Sequence, residues 1–91
     1  MLRIRRSAKD GETVFTLSGR MEEDEEIGEL EALIGSEEKG VQIILDLKDL
    51  TLVNQEGVNF LERCEEGKIT LKNCAAYIRE WIRRRRGEGK V

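Results

Sequence analysis

Few side chains in this sequence are equipped for covalent chemistry. Histidine is absent, which removes the commonest general base, the Ser-His and Cys-His nucleophile pairs, and imidazole ligation of metals. The two cysteines, Cys64 and Cys74, lack the paired spacing of a zinc site. Cys64 falls on an apolar helix face, the environment of an inert packing thiol. Cys74 opens the last helix, where the dipole can lower a thiol pKa, but no activating partner stands near it in the sequence. No glycine-rich phosphate loop occurs. What remains is a short polar stretch, Asn54-Gln55-Glu56-Gly57, at the end of an apolar run. Asn54 can cap a helix through its side-chain oxygen, and Glu56 places negative charge in the first turn. Free N–H groups at such a terminus suit a phosphate or carboxylate. This is the chemistry of recognition; no catalytic residue, cofactor or metal is expected.

The elements that must hold this stretch are legible from periodicity. Leu2 and Ile4 alternate with Arg3 and Arg5, as in a strand with one wet face. Asp10-Gly11 supplies turn chemistry, and Glu12 to Ser18 reads as a second strand with Phe15 and Leu17 on one side and Val14 on the other. Ile27, Leu30, Leu33 and Ile34 share one helical face, so residues 22–34 read as a helix whose acidic first turns favour its dipole. Val41 to Leu47 is nearly continuous in apolar residues, the pattern of a central strand buried on both faces. The turn 51–57 follows, then a helix with Val58, Leu61 and Cys64 inward and Phe60 beside them, ended by Gly67. Ile69 and Leu71 mark a short strand. The last helix has Tyr77, Ile78, Trp81 and Ile82 as its buried stripe, with Arg83 to Arg86 in its final turn. The order predicts a single α/β domain over residues 1–91, with its core about 2–82 and a basic tail over 83–91. Its mixed four-stranded sheet combines an antiparallel N-terminal hairpin with two β-α-β crossovers and about three helices.

Charge is segregated along this chain. Residues 1–20 sum to +3, residues 79–91 to +4, and the middle to −10. The simplest account is that both basic ends lie against the acidic middle in the fold. No run approaches the ~18 apolar residues of a membrane span, and the N-terminus lacks a secretory apolar core. A cytoplasmic protein with free thiols is the expectation.

The segment Leu45 to Val58, Leu-Asp-Leu-Lys-Asp-Leu-Thr-Leu-Val-Asn-Gln-Glu-Gly-Val, resembles the signature of the STAS domain, the sulfate-transporter and anti-sigma-factor-antagonist module. That signature runs close to Leu-Asp-Leu-Ser-Gly-Val-Thr-Phe-Ile-Asp-Ser-Ser-Gly-Leu. Leu17-Ser18-Gly19-Arg20-Met21-Glu22 is similar to the family's Leu-x-Gly-Arg-Leu-Asp. The resemblance covers roughly residues 2–82; the family pattern continues with one more strand and helix, so the likeness is to a shortened member. In phosphorylated members the first serine of the Ser-Ser pair is the switch, and its charge breaks the complex with a kinase-type anti-sigma factor. Here Asn54 stands for the aspartate, Gln55 for that serine, Glu56 for the second serine and Gly57 for the glycine. Gln55 has no hydroxyl to phosphorylate. Thr51 is the only hydroxyl in the turn, and its place at the strand end favours a structural use.

The resemblance implies a non-catalytic bacterial regulatory module acting by protein-protein contact, with a protein partner such as an anti-sigma factor or kinase-like regulator. Asn54, Gln55, Glu56, Asn59 and Glu62 are the candidate contact residues, and a homodimer is left open. The alternative is a nucleic-acid-binding protein using Arg83 to Arg86 with Arg3, Arg5 and Arg6. Against it, Tyr77 and Trp81 fall on the same stripe as Ile78 and Ile82, where core packing is the simpler account.

Overall fold

The computed structural model describes the backbone of residues 1–88 and the side chains of residues 1–84. Strands β1 (Leu2–Lys9) and β2 (Glu12–Met21) pair antiparallel, with Lys9 opposite Glu12. The two-residue connection Asp10-Gly11 has φ of 49° and 79°. This double positive φ belongs to the primed hairpin turn, whose twist matches that of its strands. Helix α1 (Asp24–Gly35), β3 (Gln42–Val53), α2 (Gln55–Glu66), β4 (Thr70–Lys72) and α3 (Ala76–Glu88) follow. The sheet order is β1-β2-β3-β4, with β2, β3 and β4 parallel. The α/β fold is thus the mixed sheet with one hairpin, two crossovers and three helices, and β3 is an inner strand.

The core lies on one face of that sheet. Phe15, Leu17 and Met21 of β2 and Leu45, Leu47, Leu50 and Val53 of β3 are buried in one cluster with residues from all three helices. Those helix residues are Ile27 and Leu30 of α1, Val58, Phe60, Leu61 and Cys64 of α2, and Ile78 and Ile82 of α3. Crossovers between parallel strands share one hand, so α1 and α2 fall on the same side, and α3 packs beside α2. Here the structure corrects the expectation of a strand buried on both faces: Ile44 and Asp46 of β3 are only half-buried. They point away from the helices, toward a face that none of the three covers.

Four further differences separate the structure from the expected elements. β3 does not stop at Leu47 but runs to Val53, because a register shift against β2 between Thr16 and Ser18 absorbs Leu47-Lys48 and lets the strand continue. α1 begins at Asp24 rather than residue 22. The N–H groups of Glu22 and Glu23 are bonded instead to the Glu26 carboxylate, at 3.3 and 3.2 Å, in a capping box. α3 starts at Ala76, so Cys74 precedes the helix. Tyr77 is 48% exposed instead of buried; α3, at the margin of the helical layer, buries only the narrow stripe of Ile78 and Ile82, with Trp81 partly covered.

Part of the charge segregation resolves into contacts between the basic ends and the acidic middle. Arg6 donates to both carboxylate oxygens of Glu37, at 2.9 and 3.0 Å, and Thr13 Oγ1 donates to the same carboxylate at 2.8 Å. Arg79 donates to Glu65 at 2.6 Å. The amino terminus lies 4.0 Å from Glu26, whose Oε2 also accepts the Leu2 N–H at 2.6 Å. Burial alone pushes the Glu26 carboxyl up, but the N–H donors of Glu22, Leu2 and Glu23 outweigh it and hold its pKa below the ordinary value.

Candidate functional site

The stretch Asn54 to Gly57 sits where inner strand β3 turns into α2, at the carboxyl edge of the sheet, where open α/β folds usually place ligand and partner contacts. Asn54 is held from several sides. Its Oδ1 accepts the Gly57 N–H at 2.8 Å, capping α2, and its Nδ2 donates to the Glu22 carbonyl at 2.8 Å. Its own N–H donates to the Met21 carbonyl at 3.2 Å. An aspartate could accept the first of these bonds but could not donate the second, so the amide ties the end of β2 to the start of α2. Thr51 Oγ1 donates to the Gly19 carbonyl at 2.8 Å, a structural tie between the two strands. Gly19 itself leaves no room for a side chain, since a Cβ there would lie 2.4 Å from the Met1 carbonyl oxygen.

Gly57 is buried, and the reason is close approach. A Cβ at this position would stand 2.5 Å from Val53 Cγ1, 3.1 Å from Met21 Sδ and 3.2 Å from the Met21 carbonyl oxygen. Between these inward residues, Gln55 and Glu56 are exposed, and no hydrogen bond or ion pair engages either side chain among the described residues. Asn59 and Glu62 follow on α2, both half-buried. The Asn59 Oδ1 is itself buried and has no hydrogen-bond partner among the described residues. The five candidates therefore divide. Asn54 is committed within the chain, Gln55 and Glu56 project outward, and Asn59 and Glu62 stand partly covered one and two turns further on.

Two neighbours of the turn were missed at the level of sequence. Leu52 is 42% exposed, one residue before buried Val53. The Tyr77 hydroxyl reaches the Thr51 carbonyl at 3.4 Å, bringing the exposed ring beside the end of β3. Apart from Met1, these are the exposed large hydrophobic residues among those described. Strand alternation, with Val53 inward, was the available signal for Leu52; the stripe of apolar residues on α3 concealed Tyr77.

The thiols are not poised for nucleophilic work. Burial pushes Cys64 up to about 12 and also raises Cys74, so both are protonated at neutral pH. Among the described residues no three Cys, Asp or Glu side chains are grouped to hold a metal ion, and no helix is long and apolar enough to cross a membrane.

The described arginines of the nucleic-acid alternative are divided among several elements. Arg6 is tied to Glu37 on the helical side of the sheet, while Arg3 and Arg5 point to the uncovered face from edge strand β1. Arg83 and Arg84 lie on α3, where both pair with Glu80. The side chains of Arg85 and Arg86 lie outside the described residues.

No protein-family model matches the chain, and no curated protein matches it either.

Proposed function

We propose that this protein is a non-catalytic regulatory module of the anti-sigma-factor-antagonist type, resembling a STAS domain, that binds a protein partner through the β3-α2 turn. One observation carries the reading. The turn commits half-buried Asn54 and buried Gly57 to the scaffold and leaves Gln55 and Glu56 exposed and unpaired, with Leu52 exposed three residues before them and the Tyr77 hydroxyl at the Thr51 carbonyl. An apolar pair next to a small charged rim is the composition of a contact surface. The partner is an anti-sigma factor or kinase-like regulator of the cytoplasm, and the turn acts without a phosphate switch because position 55 offers no hydroxyl. Glu56 carries one fixed negative charge there, so binding is constant or set by abundance.

The test begins with capture of a partner from native extract and its titration against wild type and Glu56→Arg, with folding checked by circular dichroism. Charge reversal at the centre of the contact weakens binding on the order of a hundredfold. Unchanged affinity would refute the turn as the contact.

A further inference from the structure

Strand β1 is the long free edge of the sheet. It pairs only with β2, over eight residues and without a register shift, whereas β4 at the opposite edge has three residues. The two-residue hairpin makes Lys9 and Glu12 its closing hydrogen-bonded pair, and bonded and non-bonded pairs alternate along an antiparallel ladder. Ser7, Arg5 and Arg3 therefore bond to β2, while Leu2, Ile4, Arg6 and Ala8 turn their N–H and C=O groups outward. Two bonds at the chain start agree with this alternation. The Met1 carbonyl accepts the Arg20 N–H at 3.0 Å, and the Leu2 N–H goes instead to the Glu26 carboxylate at 2.6 Å. The outward N–H groups of Ile4, Arg6 and Ala8 have no partner among the described residues.

The side chains along this edge form two rows. On the helical side Leu2 and Ile4 pack half-buried against the core, and Arg6 is tied to Glu37. On the open side stand Arg3, Arg5, Ser7 and Lys9. The other charged residues that the register places on that face are Glu12 and Arg20 of β2, Asp46 and Asp49 of β3, and Lys72 of β4. Lys9 is opposite Glu12, but Arg5 and Arg3 are opposite the hydroxyls of Thr16 and Ser18. The aspartates stand two strand spacings from the arginines, about 10 Å. Neither Arg3 nor Arg5 has a hydrogen bond or ion pair among the described residues. Four cations against Glu12 make the β1-β2 half of the open face positive.

We propose that β1 takes up an extended segment of a partner protein, with acidic and apolar residues in alternation, as an added antiparallel strand. Main-chain bonds to Ile4, Arg6 and Ala8 hold the segment, and its side chains give selectivity. Acidic side chains fall on the open side, opposite Arg3 and Arg5. Apolar ones fall on the helical side, where they extend the cover over Leu2 and Ile4. A second copy is a poor occupant. Every antiparallel register that keeps the alternation and pairs four or more residues of β1 sets cations face to face: Arg3 with Arg5, Arg5 with Arg5, Arg3 with Lys9, or Arg5 with Lys9. Charge of this kind guards an edge against its own copies. A nucleic-acid strand would neutralise the arginines but leave the outward carbonyls and the apolar row unused. Strand β2 separates this edge from β3 and its turn into α2, so the contact does not rest on the function proposed above.

The test is a titration of the isotopically labelled whole chain with an alternating glutamate-valine octapeptide, blocked at both ends and followed by amide chemical shifts. One added strand is small against the ~800 Å² per partner of a standard complex, so peptide is carried to millimolar concentration. Shifts concentrate on β1, and a lysine-valine peptide of the same length does not bind. Methylating the valine nitrogens, whose N–H groups face β1, abolishes binding; methylating the glutamate nitrogens, whose N–H groups face away, leaves it. Arg3→Glu with Arg5→Glu, on exposed positions, weakens the acidic peptide at least about tenfold and gains the basic one. A wild type without shifts on β1 at millimolar peptide overturns the proposal. Binding that survives methylation of the valines overturns it too, since charge alone would then hold the peptide. An oligodeoxythymidine that shifts Arg3 and Arg5 while the peptide leaves β1 unchanged would make the edge a phosphate site and overturn it equally.

Discussion

Replacing Gly57 by alanine sets two effects of known size against each other. In the interior of a helix alanine is favoured over glycine by about 1 kcal/mol, and Gly57 is the third residue of α2. Against that gain, the added Cβ falls 2.5 Å from Val53 Cγ1, roughly 1 Å inside the optimal carbon-carbon separation. Val53 cannot easily yield. It is β-branched, stiff at χ1, and 3% exposed at the end of an inner strand. Met21 Sδ, 3.1 Å away, is adaptable, but the Met21 carbonyl at 3.2 Å is backbone. Overpacking of this kind costs about 1–3 kcal/mol, and any outward shift of α2 also strains the 2.8 Å cap from Asn54 to the Gly57 N–H. The net loss is about 1–2 kcal/mol, a fall of roughly 5–10 °C in melting temperature for a domain of this size. Thermal unfolding followed by circular dichroism measures it, and a double-mutant cycle assigns the cause. Val53→Ala removes the clashing methyl and costs stability by itself through lost packing. In that background Gly57→Ala should be close to neutral, giving a coupling of about 1–2 kcal/mol. A stabilising Gly57→Ala, or one additive with Val53→Ala, would show that helix propensity governs the position and that α2 and β3 do not approach as described.

Asn54→Asp keeps the acceptor for the Gly57 N–H but loses the donor to the Glu22 carbonyl, so it should cost less than Asn54→Ala, whose lost cap is worth about 1 kcal/mol; chemical denaturation of the two variants ranks them. Glu26 has a folded-state pKa below its unfolded value. Its contribution is therefore fully present above the ordinary carboxylate range, about 4.3, and is lost as pH falls through the depressed folded pKa. Glu26→Gln should flatten that part of the acid-unfolding profile, and an identical profile in the variant would refute the role of its three N–H bonds. Arg83→Gln with Arg84→Gln removes exposed pairs confined to α3 and should leave the melting curve unchanged; a large loss, or loss of a tight salt-sensitive complex with DNA or RNA, would show that these arginines act beyond their own helix.

The hairpin was readable because turn chemistry and alternation agree: Asp10-Gly11 takes the two positive φ values, and Phe15 and Leu17 face inward while Val14 does not. β3 was harder. Lys48 and Asp49 are both exposed and resemble the end of a strand, yet a bulge carries the pairing past them. The run Ile43-Ile44-Leu45 suggests burial on both sides, but composition does not reveal on which face the crossovers deposit their helices. Ile44 is shielded only in part, between Val14 and Thr70 of the adjacent strands. At the turn, the capping role of Asn54 was local and therefore visible. Its second bond, to a carbonyl 32 positions earlier in the chain, depends on how β2 and β3 are aligned and leaves no local signature. The same is true of Tyr77, whose exposure follows from the marginal position of α3.

Helix capping and partner contact look like competing explanations for Asn54-Gln55-Glu56-Gly57, but the geometry separates them by residue. At the start of a helix the residue that caps and the residue whose N–H it accepts are three apart, and both must face the chain they close. Asn54 and Gly57 meet that demand, one through its amide and the other through its missing side chain. The two positions between them are then driven outward by the helical turn itself, whatever their identity. A chain that kept Asn54 and Gly57 could exchange Gln55 and Glu56 freely without loss of fold. Substitutions at 54 and 57 should therefore register in stability and those at 55 and 56 in binding. Gln55→Ala and Glu56→Ala should unfold as wild type does, and a marked loss of stability in either would assign the whole turn to the scaffold.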